Sequence, residues 1–91
     1  MNLSGTITIG GTAQELAPAV TTLDGFVGFS ILNTSAGDLW FNDDGATAVL
    51  ASPSKKITSG SLYESPPNKQ PLGAISIIGA TTGQSFTAER F

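Results

Sequence analysis

GFVGFSILNTSAGDLWFNDDG, residues 25–45, carries the pattern that decides the fold. Its first part, Gly25 to Asn33, is apolar on both alternating sets, with Val27, Phe29 and Ile31 on one and Leu32 on the other. Successive side chains of a strand point to opposite faces, so this run describes a strand covered on both sides. The loop Thr34-Ser35-Ala36-Gly37 follows, and then Asp38 to Asn42 forms a second run in which Leu39, Trp40 and Phe41 alternate between faces. The two runs predict a hairpin, with 38–42 pairing back onto 25–33. Asp43-Asp44-Gly45 closes the stretch as a turn, because aspartate tolerates and glycine favours positive φ.

Strand signals continue on both sides. Residues 3–9, LSGTITI, set Leu3, Gly5, Ile7 and Ile9 against Ser4, Thr6 and Thr8, the period of a half-buried strand, and Gly10-Gly11 stops it. The stretch TAQELAPAV has helix-friendly residues, but it is short and contains Pro18, so it reads as a connection. Ile57 and Leu62-Tyr63 are short apolar pieces around Ser59-Gly60-Ser61, consistent with two strands and a turn. Pro66, Pro67 and Pro71 mark a surface loop, since proline gives a sheet no ladder donor. LGAISIIG and SFTAERF then predict a second hairpin, 73–79 with 84–91, around a Thr-Thr-Gly turn.

Seven or eight short strands with almost no helix make an all-β protein, a small antiparallel β-sandwich or barrel, jelly roll included. At 91 residues the chain is a single β domain, 1–91. Phe29, Ile31, Leu39, Ile75, Ile77 and Phe86 are its expected core. A register slip of one residue would exchange the inward and outward sets.

The composition narrows the chemistry. Charged residues make up 12% of the chain, about half the usual quarter. With no cysteine and no histidine, disulfides and the usual zinc sites are excluded. Four basic residues and a net charge of −3 argue against nucleic acid, whose affinity rests on neutralised phosphates. No apolar run approaches a membrane span, and the start MNLSGTITIGG lacks a secretion signal, which predicts a cytosol-like compartment and makes the triplets at Asn2 and Asn33 chance matches to the glycosylation pattern.

Catalysis needs a nucleophile beside a base, or two carboxylates in contrasting environments. The acids here lie mostly in turns or at strand ends, so no catalytic residue is assigned. The oxygen-rich NDDG at 42–45 lacks the spacing of a calcium loop, and GATTG at 79–83 is followed by neither lysine nor helix, so metal and phosphate sites are not predicted and no cofactor is implied. What the bland readings leave over is the doubled apolar pattern. A two-layer sandwich buries one face of each sheet, and a neighbouring subunit could cover the other. Phe26, Trp40, Tyr63 and Phe91 are the candidate interface residues, and a homo-oligomer, dimer or trimer, is expected.

Three segments, ILNTSAGDLWFNDDG, ASPSKKITSGSLYESPP and AISIIGATTGQSFTAERF, together resemble a group of small virion proteins of tailed bacteriophages. Gly60, Tyr63, Glu64 and Pro66 stand at one shared element, and Ile78 to Glu89 spans another. The likeness covers roughly the last two-thirds of the chain and consists of turn-and-strand patterns. It implies a non-enzymatic structural protein of the virion, assembled in the host cytoplasm. First choice is a capsid cement or decoration protein that bridges capsomers and contacts the major capsid protein or other virion proteins. A tail- or fibre-associated protein is the alternative, and from another class a small carbohydrate-binding module.

Overall fold

The alternation in the sequence becomes eight strands in the computed structural model, which describes residues 2–19, 28–65 and 73–91. They are β1 (Gly5–Thr6), β2 (Gln14–Ala17), β3 (Phe29–Asn33), β4 (Leu39–Asn42), β5 (Lys55–Ile57), β6 (Leu62–Glu64), β7 (Ile75–Gly79) and β8 (Ser85–Arg90). No helix occurs among the described residues. Two four-stranded antiparallel sheets pack face to face, one in the order β1-β8-β3-β6 and the other β2-β7-β4-β5. We call them sheet A and sheet B.

The pairings follow one rule: β1 meets β8, β2 meets β7, β3 meets β6 and β4 meets β5. The chain is thus a long antiparallel ribbon whose successive pairs fall alternately in sheet A and sheet B. Winding the ribbon brings β3 against β8 and β4 against β7 and completes both sheets. This is jelly-roll connectivity.

Both hairpins expected from the sequence are therefore absent. β3 lies in sheet A and β4 in sheet B, so 34–38 is an arch between the layers; residues 25–27 of the expected hairpin lie outside the described residues. β7 and β8 are likewise in opposite sheets. Between neighbouring strands in the chain, only β4 and β5 pair directly. The reason is packing. Alternation specifies that Phe29 and Phe41 face the interior but not from which layer, and an arch lets them meet across it, ring centroids 6.0 Å apart in edge-to-face contact. The stretch read as a connection contains β2, whose Gln14 and Glu15 pair with Ile77 and Ser76 before a bulge precedes Ala17.

The interior holds the expected core. Phe29 and Ile31 from β3 and Phe86 from β8 face Leu39 and Phe41 from β4 and Ile75 and Ile77 from β7. β8 also turns Arg90 inward, where its Nη1 donates to the Pro18 carbonyl at 3.3 Å. Burial lowers the pKa of this guanidinium from its ordinary value.

One buried side chain holds the arch. Asn33 donates from Nδ2 to the carbonyls of Gly37 and Ile57, both at 2.8 Å, and its Oδ1 accepts from the Ser35 N–H at 2.9 Å and hydroxyl at 2.7 Å. Gln84 does parallel work beside it, donating to the Asp38 carbonyl at 3.0 Å and accepting from the Thr81 N–H. Gly79 must lack a side chain here, because a Cβ would sit against Gln84 Oε1 and 2.9 Å from a Leu39 methyl.

Asn33→Leu should remove about 3 kcal/mol or more from a stability of order 5–14 kcal/mol, since it strands several buried polar groups. Asn33→Asp turns a carboxylate toward two carbonyl oxygens, which raises its folded-state pKa. The neutral acid is then the tolerated form, so the deficit against the parent protein should be smaller at pH 4 than at pH 7. Urea unfolding at the two pH values measures both effects.

Candidate assembly surfaces

Of the four residues expected at an interface, the three that the structure describes, Trp40, Tyr63 and Phe91, do not form one patch. Trp40 is half-buried on the outer face of sheet B, opposite Ile78 and Lys56 in register, with the Lys56 ammonium 5.6 Å from its ring centroid. Tyr63 points inward from β6 and packs at the margin of the core, its ring centroid 4.6 Å from that of Phe41 and 5.6 Å from that of Phe29. Phe91 lies at the opposite end of the sandwich from the 34–38 arch. Its main chain exchanges two hydrogen bonds with Gly28, while its side chain stays partly exposed. Phe26 lies outside the described residues.

Lys55 explains why Tyr63 is held. It sits opposite Phe41 on β5, with its ammonium 5.6 Å from the Phe41 ring and 5.7 Å from the Tyr63 ring. It also pairs with Asp43 at 3.2 Å. The lysine stem and the two rings close the open side of the sandwich between β5 and β6, as amphipathic side chains do at the border of a core.

The doubled apolar pattern of β7 is satisfied in part by the chain itself. Ile78 points to the outer face of sheet B yet is 95% buried, and Trp40 lies opposite it. The long β4–β5 connection returns over this face: Ala48 is buried, and its N–H donates to the Ser76 hydroxyl at 3.0 Å. The turn that launches this connection has Gly45 at φ 93° and uses the Asn42 and Asp44 carboxamide and carboxylate oxygens to accept from the N–H groups of Asp44 and Ala46. The residues that looked like metal ligands therefore build a turn. Val49 and Leu50, just beyond Ala48, are left exposed.

Sheet A has a different outer face. Leu62 is 60% exposed and lies opposite half-buried Leu32; Glu64 and Glu89 flank Ser30 on either side. Together with Thr87, Asn2 and Ser4 they border an open depression of about 400 Å³. Sequence reasoning missed Leu62 because a leucine in LYE is as good a core candidate as its neighbour. Only the pairing of β6 with β3 shows that Tyr63 takes the inner position and Leu62 the outer.

The short-loop end is polar and self-satisfied. Asn33, within one of the two glycosylation-like triplets, is fully buried with its amide committed to the arch. Ser59 donates to the Ser35 carbonyl at 2.6 Å and Thr34 to the Ser85 hydroxyl at 2.8 Å. Ile9 stands out at this end as an exposed apolar side chain.

Comparisons with protein-family models, curated proteins and solved structures gave no match.

The different settings of Tyr63 and Phe91 have measurable consequences. Tyr63→Ala should cost about 2–4 kcal/mol, near the range for deleting a core aromatic. Phe91→Ala, which keeps the main-chain bonds to Gly28, should cost less than about 1 kcal/mol, as surface truncations do. Thermal unfolding of the two variants separates them, at roughly 4–8 °C per kcal/mol for a domain of this size.

Proposed function

We propose that this chain is a non-enzymatic structural subunit of a tailed-bacteriophage virion, a cement protein that sits where capsomers meet and holds them together. The observation that carries the reading is the distribution of exposed apolar side chains on a sparsely charged sandwich. Leu62 lies on the outer face of sheet A, Val49 and Leu50 on the loop returning over sheet B, Ile9 at one end and Phe91 at the other. A cement subunit touches several neighbours at once, and apolar contacts on several sides suit that task better than one concentrated patch. Each contact can be small, because linked weak joints multiply once the first is made.

The resemblance in the last two-thirds of the chain supports the same reading. The jelly roll is compatible with it but does not select it, since this architecture serves capsid and lectin domains alike. The subunit would self-associate as a dimer or trimer at the junction and contact the major capsid protein there.

The test is reconstitution. Purified subunit mixed with expanded shells lacking it should co-sediment with them and raise the temperature at which they rupture, and electron microscopy should place its density at capsomer junctions. Density on tails or fibres, or no association with shells, would reject the cement role.

A further inference from the structure

We infer that the open edge of β6 is a strand-addition site, which takes an extended segment of a partner protein carrying an apolar side chain opposite Leu62 and a lysine or arginine opposite Glu64. The inference rests on the shell-subunit reading for the identity of the partner protein, and on the edge itself for the mode of binding.

The backbone of β6 defines the site. Asn33 N–H donates to the Ser61 carbonyl and Ser65 N–H to the Phe29 carbonyl, so residues 61 and 65 face β3, and Tyr63, paired with Ile31, faces it too. The peptide groups of Leu62 and Glu64 are therefore directed away from the sheet, and no residue bonds to them among the described residues. An exposed ladder of this kind is a template for another strand.

The other three sheet edges are blunted, each by a recognised device. Along β1 side chains take the outward groups, Asn2 Oδ1 accepting from the Ser4 N–H and Gln14 Nε2 donating to the Thr6 carbonyl; β2 carries the bulge before Ala17, and β5 presents Lys55 and Lys56. β6 has no lysine, no proline and no bulge, and it pairs regularly with β3 through Ser30–Glu64, Ile31–Tyr63 and Leu32–Leu62. Its outward side chains match a ligand: Leu62 at 60% exposure beside Leu32 offers apolar contact, and exposed Glu64 follows two residues later.

Charge complementarity decides between a foreign segment and a second copy of the chain. The outer face of sheet A carries Glu64 and Glu89 and, among the described residues, no lysine or arginine. Two copies joined edge to edge would bring acidic faces side by side, whereas a basic segment would find a cross-strand partner at Glu64.

Hydrogen exchange on the subunit alone and bound to expanded shells tests the assignment. The amide protons of Leu62 and Glu64 should exchange rapidly in the free protein and become protected on the shell. Leu62→Lys, at an exposed position where the free protein should keep its melting temperature, should weaken shell binding about tenfold or more, as loss of a central contact does. Glu64→Gln should weaken it about two- to fivefold at low salt and much less at 0.5 M, as for an exposed ion pair. If the subunit binds shells with both amides unprotected and the variants bind as the parent does, the edge inference fails while the cement reading stands. If the parent protein does not bind shells, both fail. Protection that appears on concentrating the free protein, together with a dimer in sedimentation, would put a second copy on the edge and overturn the foreign-segment assignment.

Discussion

Asn33 is where the chain leaves one sheet for the other, and the fold depends on its being able to do so with every polar group satisfied. A strand that departs from its ladder gives up backbone partners, and a buried peptide group without one costs as much as a lost hydrogen bond. The Asn33 main chain still pairs with Ser61 and Gly60 across the sheet. Its side chain meanwhile bonds Gly37 within the arch, Ser35 at its crest and Ile57 in the opposite layer. A single amide thus belongs to sheet A by its backbone and to sheet B by its side chain. Gln84 repeats the device at the β7–β8 crossing, binding the Asp38 carbonyl of the first arch as well as its own turn.

With the crossings secured, short strands suffice. The elements are two to six residues long, and of the consecutive described strands only β4 and β5 pair with each other. Stability comes from a core shared by both layers, in which Phe29 and Phe41 meet across the interior and Tyr63 with Lys55 seals one side. The β4–β5 excursion hides Ile78 on the outside of sheet B, so the chain supplies part of the cover that its two-sided patterning demands.

Among the described residues, sheet A has no such cover. Its outer face keeps Leu62 and two glutamates in view, beside an edge strand whose peptide groups point outward. Among the described residues, one sheet is roofed by its own loop and the other is not, so the molecule has two unlike outer faces. For a subunit proposed to join larger bodies, the outer face of sheet A and the scattered apolar tips elsewhere provide several points of attachment without a concentrated sticky surface.

The sequence by itself determined the all-β class, the approximate strands, the turns at Asp43–Gly45 and Ser59–Ser61, and the core residues Phe29, Ile31, Leu39, Ile75, Ile77 and Phe86. These follow from local rules: side-chain alternation, glycine at positive φ, and the burial preference of large apolar groups. The tertiary structure alone decided that β3 with β4 and β7 with β8 cross between layers instead of folding back as hairpins. It also decided that Tyr63 turns in while Leu62 turns out, and that Gln14–Ala17 is a strand. A period-2 pattern says which side chains share a face but not which sheet the face belongs to, and a short Ser/Gly loop serves an arch as well as a hairpin. The choice rests on pairings such as β1 with β8 and on amides such as Asn33, whose partners lie far along the chain.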